Sequence, residues 1–455
     1  FTLTLGFVYA LALTIFFIGL LRLRNETANP TLDKSKLPGI DLGVEQGDSF
    51  PRGCLNHSLP YVSVVVAARN EEDNLSACLK SLLTQSYPRE QYEVIVVDDH
   101  STDNTYSIAC AFAADNPILK VLKLDNAAEC RMRNAECSHE RRERNAKDDP
   151  EPFRYFRDLS CFSRLNSEIR NPMGKQMALD WGIQSCRGEI ILSTDADCIV
   201  PDTWIESMVK AYEREVGVVV GFSMLDEGCQ EIEEYSRDSS FKSFHRFLRS
   251  LFIKLQSLEL LSLFSAFAGG LKIGVALACT GNNIGYRRQV YDELGGFVNL
   301  GITVAEDNMF IQWVDRCSKW KIKPLCHADV TVLTRPMKTV KDFMRQRLRW
   351  ASNSTENRLS LVCFMVIAYG FYLLLPLSLL LAAFGVLSWK LAFAILSLKL
   401  VPEFLLVFRG LKLFNRMDLL KYFPLLQPCQ ILYVLICGVF GLLFKVIWKE
   451  RQFSG

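Results

Sequence analysis

The hydrophobic positions of this chain follow two regimes. At the start, and again toward the end, apolar residues run on almost without a break; between residues 60 and 350 they recur in short runs or at helical spacing. Phe1 to Leu23 is the first long block, with Arg22 and Arg24 at its close. At 1.5 Å per residue such a helix crosses roughly 30 Å of hydrocarbon. A signal peptide, the alternative, needs a basic start and a small-residue cleavage site, and the stretch displays neither. The second block, Leu359 to Trp389, contains Pro376, which is expected to kink its helix. The third, Leu391 to Phe408, is broken by Lys399 and Glu403, so an amphipathic helix in the membrane interface is its alternative reading. Tyr422 to Trp448 is the fourth, with Lys445 near its end.

The middle stretch has the pattern of a soluble α/β domain. Tyr61–Ala67 and Tyr92–Val97 are short β-rich runs, and Leu75, Leu79, Leu82 and Leu83 between them have helical spacing. Strand, helix, strand predicts a parallel sheet with a right-handed crossover. Ile118–Leu124 and Glu189–Ser193 predict further strands, and Lys175–Ser185 a helix. The expected organisation is a transmembrane helix over 1–24, a linker over 25–59, a domain over 60–350, and a C-terminal membrane region of about three helices over 351–455. Residues 125–171, dense in both charge signs, read as a solvent-facing insertion or a separate binding surface. Phe241–Phe267, rich in Phe and Leu with Lys242, Arg246, Arg249 and Lys254, predicts either an interfacial helix or an amphipathic helix packed on the sheet.

Charge adds orientation. Arg22 and Arg24 follow the first block; Arg409, Lys412, Arg416 and Lys421 lie between the third and fourth; the turn between the second and third holds only Lys390. By the positive-inside rule the middle domain is cytoplasmic in a multi-pass membrane protein. Four crossings then leave the C-terminus outside, against which Lys449 and Arg451 pull. The formal charge of +2 over 455 residues argues against a nucleic-acid partner, and 49% apolar residues exclude disorder. The fifteen cysteines, without a C-x-x-C pair, fit a reducing compartment. Cys130, Cys137 and His139 are too few and wrongly spaced for a zinc site.

The candidate chemistry lies where strands end. The run Tyr92–Val97 leads into Asp98, Asp99, His100, Ser101, Thr102 and Asp103. Acids at the carboxyl end of a buried parallel strand are costly unless they face a cleft or ligand. Ser101 or Asp103 is expected to cap the following helix. Glu189–Ser193 leads into Thr194-Asp195-Ala196-Asp197. In extended chain an Asp-x-Asp pair points to one side, and two convergent carboxylates call for a divalent cation; hard oxygen ligands suit Mg²⁺ or Mn²⁺ bridging to a phosphate. Glu306 and Asp307 carry a second acidic pair, and Gln346 to Trp350 suggests an amphipathic helix.

Taken in order, Arg69-Asn70-Glu71, Asp98-Asp99, Asp195-Ala196-Asp197, Ala305-Glu306-Asp307 and Gln346-x-x-Arg349-Trp350 resemble the membrane-integrated family 2 glycosyltransferases. Thr280-Gly281-Asn282-Asn283 and Gly295-Gly296-Phe297 fit the same pattern. Ala305 stands where the family often has threonine, and the charged insertion exceeds the usual connection. The resemblance implies a GT-A fold, with a mostly parallel sheet and transmembrane helices at both ends, and a nucleotide-sugar donor, most often a UDP-sugar. By position it implies that Asp99 holds the base beside Ala67, Arg69, Glu71 and Asp98. Asp197 would bind the divalent ion with Asp195, and Lys175 would approach the donor. Asp307, beside Glu306, would be the general base, and Gln346, Arg349 and Trp350 would close over the diphosphate. The expected activity is inverting transfer to a membrane-associated lipid or glycan acceptor. The competing functions are a processive polysaccharide synthase, a channel or transporter, and an inactive nucleotide-sugar-binding regulator.

Overall fold

A computed structural model describes residues 1–23, 59–124, 174–228, 239–277, 281–300, 306–352, 357, 359–443, 446–448 and 451–453. The expected linker up to residue 58, the charged insertion 125–171 and the three candidate zinc residues lie outside the described residues. The chain divides into two compact units. One comprises Phe1–Glu26, Met224–Cys279 and Leu333–Gly455, the other Thr27–Ser223 and Thr280–Val332. The stretch 60–350, expected as one domain, therefore contributes 224–279 and 333–350 to the helical unit.

The second unit is built on a sheet of β1 (Val62–Ala68), β2 (Tyr92–Asp98), β3 (Leu119–Lys123), β4 (Ile190–Asp195), β5 (Val216–Gly221), β6 (Ile284–Arg287) and β7 (Lys321–Leu325). Their order is β3-β2-β1-β4-β6-β5-β7, and β6 alone runs against the rest. Val64, Val65 and Val66 of β1, and Val94, Ile95, Val96 and Val97 of β2, are all fully buried, the signature of strands covered on both faces. Each such side chain contributes about 1.5–3 kcal/mol on burial. Helix α2 (Leu75–Leu83) buries Leu75, Leu79 and Leu82 of the expected stripe together with Cys78, while Leu83 is half-buried. Helix α3 (Thr105–Asp115) follows β2, and α4 (Lys175–Ser185) precedes β4. Gly182 lets α4 lie tight on the sheet: a Cβ there would stand 2.5 Å from Val65 Cγ1. Helix α5 (Trp204–Val209) follows β4, with Trp204 fully buried.

The first unit is helical: α1 (Thr2–Leu21), α6 (Ser239–Leu271), α9 (Val340–Ser352), α10 (Leu359–Ala383), α11 (Trp389–Leu413) and α12 (Phe423–Leu443). Two short helices, α7 (Arg288–Glu293) and α8 (Glu306–Cys317), belong to the sheet-bearing unit. Trp389, expected to close the second apolar block, instead opens α11 behind its N-cap Ser388. The fourth block stops at Leu443 as a helix, and Val446–Trp448 pairs antiparallel with Arg451–Phe453. Pro376, Pro402 and Pro428 all sit inside helices.

Among the described residues, five helices of this unit are long and apolar enough to cross a membrane, the fifth being Ser243–Leu271 within α6. That helix packs on α1, α11 and α12. At its closest point Gly19 of α1 faces Gly269 of α6, and a Cβ on either would strike the other helix's backbone. The two charges that interrupt the third block turn inward. Lys399 Nζ lies 2.8 Å from Glu403 Oε2 and donates to Gln427 and Gln430, while Tyr9 and Tyr372 hydroxyls donate to Glu403 Oε1 at 2.5 and 2.9 Å. Intramembrane charges are tolerated when paired in this way.

Candidate active site

The register of the sheet brings the candidate residues to one edge. Ala67 of β1 is paired with Asp195 of β4 on one side, and Ala68 with Asp98 of β2 on the other. Strand order reverses at β1, with β2 and β3 on one flank and β4 on the other. A doubly wound sheet opens its ligand crevice at that switch point, outside the carboxyl ends of the strands.

The loops leaving β1 and β2 are laced together. Asn70 and His100, one in each, adopt left-handed φ values of 53° and 58°, uncommon for residues with side chains. The conformation is held by reciprocal bonds. Asn70 N donates to Ser101 Oγ at 3.1 Å, Thr102 N to Asn70 Oδ1 at 2.9 Å, and Glu71 N to Thr105 Oγ1 at 2.7 Å. Neither expected residue occupies the N-cap of α3, which is Asn104; Asp103, one residue earlier, accepts from Thr105 N at 3.0 Å, and Ser101 serves the neighbouring loop. Glu71 is engaged locally, accepting from Asn74 Nδ2 at 2.6 Å.

On this platform Asp98 and Asp99 are both buried. Among the described residues Asp98 Oδ1 has no hydrogen-bond partner, a costly state for a buried carboxylate oxygen unless a ligand supplies the donor. The Asp99 main chain receives Arg69 Nη1 on its carbonyl at 3.3 Å, and its Oδ1 lies 3.2 Å from His100 Nδ1.

Asp195 ends β4, and the chain turns at once: Cys198 N donates to Asp195 O at 3.1 Å, with Ala196 and Asp197 in the turn. The extended geometry expected for Asp-x-Asp is therefore absent, because the strand pairing stops at Asp195. Lys175, at the start of α4, reaches Asp195 Oδ1 at 2.6 Å and Glu306 Oε1 at 3.4 Å. Burial works against its ammonium, but Asp195, Glu306 and Asp307 outweigh it and push the Lys175 pKa up, so the group stays charged. Among the described residues no three His, Cys, Asp or Glu side chains converge as a metal cluster. Asp195 and Asp197 would offer oxygen ligands only, which beside a phosphate would suit Mg²⁺ or Mn²⁺ better than zinc.

Glu306 and Asp307 open α8, where the helix dipole favours acids. Glu306 is buried; Asp307 Oδ1 accepts from Asn308 N at 2.7 Å. The Asp307 carboxylate lies against Gly281 so closely that a Cβ there would collide with it. The residues just after Gly281 tie together β4, α5, Phe222 beyond β5 and the turn at Val330. Asn283 Nδ2 donates to Phe222 O and Val330 O, its Oδ1 accepts from Trp204 Nε1 at 3.0 Å, and Thr194 Oγ1 donates to Asn282 O at 2.9 Å. A small cavity beneath the acids is lined by Ser193, Tyr286, Glu306, Asp307 and Phe310; the Ser193 and Tyr286 hydroxyls are buried without partners.

Thus Ala67, Asp98, Asp99, Lys175, Asp195, Asp197, Glu306 and Asp307 all belong to the sheet-bearing unit, as do Arg69 and Glu71. Gln346, Arg349 and Trp350 lie on α9 of the helical unit. The structural work of Asn283 and Gly281 has no periodic signal, since it depends on backbone groups distant in sequence.

A doubly wound α/β unit with acids at its switch point and a second acidic pair at a helix start is a GT-A-like arrangement. The chain is similar to glycosyl transferase family 2, whose family model matches residues 63–139 and 165–295. The model of glycosyl transferase family 21 matches residues 255–454. A beta-monoglucosyldiacylglycerol synthase of Nostoc sp. is 27% identical over 309 residues, covering 66% of this chain and 50% of that protein. The probable glycosyltransferase YdaM of Bacillus subtilis is 23% identical over 303 residues, 64% of this chain and 55% of that one. The chain thus spans about half the length of these relatives. The mannosyltransferase PcManGT of Pyrobaculum calidifontis, solved with GDP-Man and Mn²⁺, aligns with a TM-score of 0.47 at 16% identity, over 96% of this chain and 98% of that one.

Proposed function

We propose that this chain transfers a hexosyl group from a UDP-sugar to a lipid acceptor in the membrane, with inversion at the anomeric carbon. The observation that carries the reading is the convergence of Asp195, Lys175 and Glu306 at the switch point, next to Asp307 at the start of α8. Asp99 and Arg69 would receive the base at the β1 and β2 loops. Asp197, with Asp195, would hold a Mg²⁺ or Mn²⁺, whose charge offsets that of the departing diphosphate. Asp307 would accept the proton of the acceptor hydroxyl as its oxygen attacks the anomeric carbon, and the diphosphate leaves from the opposite face. Gln346, Arg349 and Trp350 would contact a nucleotide diphosphate, the role their motif implies.

The lipid acceptor is supported by the Nostoc relative, which is a beta-monoglucosyldiacylglycerol synthase by name, and by the apolar helices. Connectivity limits how these helices cross. Strands β5 and β6, before and after α6, belong to one sheet, which would return both ends of α6 to one side of a bilayer. Helix α6 would enter or line the membrane without crossing it, leaving α1, α10, α11 and α12 as the four crossings, with the sheet-bearing unit cytoplasmic. Within the helical unit, Arg416 pairs with Glu227 and Arg409 Nη2 donates to Leu23 O at 3.1 Å, which groups the basic ends of α1 and α11 on one side.

The deciding experiment supplies radiolabelled UDP-sugars to membranes bearing the full chain. Label extracted into organic solvent as a discrete small glycolipid is expected. High-molecular-weight, hydrolase-sensitive product would establish a processive synthase instead.

A further inference from the structure

Helix α9 carries two arginines in its Gln346-Arg347-Leu348-Arg349-Trp350 segment, and only Arg349 belongs to the motif. Arg347 is nonetheless the buried one. Its guanidinium edge is bidentate on Glu259 of α6, with Nε 2.9 Å from Oε1 and Nη2 on Oε2. Glu259 is buried as well and accepts from the Tyr433 hydroxyl of α12 at 2.9 Å. The remaining guanidinium nitrogen, Nη1, donates to Gln346 Oε1 at 2.5 Å. The guanidinium carbon also lies over the rings of Phe343 and Trp350, 4.3 Å and 4.1 Å from their centroids.

Each nitrogen of the Arg347 guanidinium thus has a hydrogen-bond partner within the helical unit, and two of its neighbours are the motif residues Gln346 and Trp350. An arginine is needed for this. Lysine has a point charge without a planar fork, and can neither bind Glu259 bidentately nor lay a flat group over the two rings. The bond to Gln346 also settles the amide's orientation. Because Oε1 accepts from Arg347, Nε2 is the atom left to meet a ligand, and it is a donor, suited to a phosphate oxygen.

We propose that Arg347, anchored by Glu259 and Tyr433, is a positioning residue that holds Gln346 as a hydrogen-bond donor and Trp350 in its ring orientation for the nucleotide diphosphate. The proposal rests on the reading above that Gln346 contacts the donor. It assigns Arg347 no contact with substrate.

The test is a double-mutant cycle on the full chain in lipid nanodiscs, titrated calorimetrically with UDP and with GDP in the presence of Mn²⁺. Gln346→Ala and Arg347→Lys should each weaken nucleotide binding about tenfold, the scale of one hydrogen bond to a charged group. In the Gln346→Ala background, Arg347→Lys should cost little more, since its effect passes through Gln346. A merely structural arginine would give additive losses, and additivity overturns the proposal. Should Arg347→Lys fail to fold, Tyr433→Phe removes only the hydroxyl on Glu259. It should weaken binding a few-fold in the parent chain and not at all with Gln346→Ala; an equal loss in both backgrounds overturns the proposal. If Gln346→Ala binds as the parent does, the motif's role fails and the proposal with it. If the parent binds neither nucleotide, the functional reading itself fails, a distinct result.

Discussion

Lys175 Nζ stands 2.6 Å from Asp195 Oδ1 and thereby ties the first turn of α4 to the last residue of β4. The same ammonium reaches Glu306 at the start of α8, so one cation neutralises acids from two elements. Like carboxylates this close repel unless a positive charge lies between them. Lys175→Met should therefore tighten binding of Mn²⁺ alone several-fold, by leaving Asp195 uncompensated, while transfer falls. Calorimetric Mn²⁺ titration checks it; unchanged or weaker affinity refutes the counter-ion role.

Asp197→Ala should abolish the Mn²⁺-dependent part of UDP binding, since an ion held by two protein carboxylates loses one of them. Equal UDP affinity with and without Mn²⁺ is the expected signature in the variant. A parental Mn²⁺ dependence would remove Asp197 from the metal assignment.

For Asp307→Asn the expectation is near-complete loss of transfer with nucleotide binding retained. The amide keeps the shape and cannot take the acceptor proton, which alone costs roughly 10²–10⁴-fold. Turnover close to the parental rate would exclude Asp307 as the base.

Gly281→Ala forces a methyl group against the Asp307 carboxylate. Overpacking of this kind costs about 1–3 kcal/mol, or displaces the side chain that is struck. The acid is expected to move, so kcat should fall well over tenfold with a smaller change in nucleotide affinity. A parental kcat would show that Asp307 tolerates the shift.

Acid stability has a separate source on the sheet. Glu93 is buried, and burial raises its pKa. Lys120 Nζ at 2.6 Å, Arg187 N at 2.9 Å and Ser63 Oγ at 2.8 Å outweigh that effect and leave it below the usual value of 4.5. A depressed carboxyl stabilises the fold fully above the unfolded value, and the contribution is lost as pH falls through the lower folded value. Glu93→Gln should cost about 1–3 kcal/mol near neutrality and show a shallower loss of stability below pH 4.5. Thermal unfolding across pH measures both; parallel parent and variant curves would count against it.

Much of the fold was legible because the relevant signals are local. The Val runs of β1 and β2, the Leu spacing of α2 and the start of α4 at Lys175 lie within a residue or a few of where the pattern puts them. Apolar length likewise marks α1 and α10 to α12, although their ends shift wherever a cap such as Ser388 starts a new helix. Strand-end acids were legible for the same reason: a charge directly after a buried run needs no partner to be noticed.

What the tertiary structure decided are relations between distant residues. The turn at Ala196-Asp197, where strand pairing stops, depends on neighbouring strands that the local alternation does not encode. Lys399 and Glu403 looked like interruptions of an apolar block. Their meaning appears only when Tyr9, Tyr372 and Gln427, from three other helices, surround them in a place too dry for an unpaired charge. The division of labour between Arg347 and Arg349 is of the same kind. Two identical side chains two residues apart face different sides of a helix, and only the packed neighbours Glu259 and Phe343 single out Arg347 as the anchor.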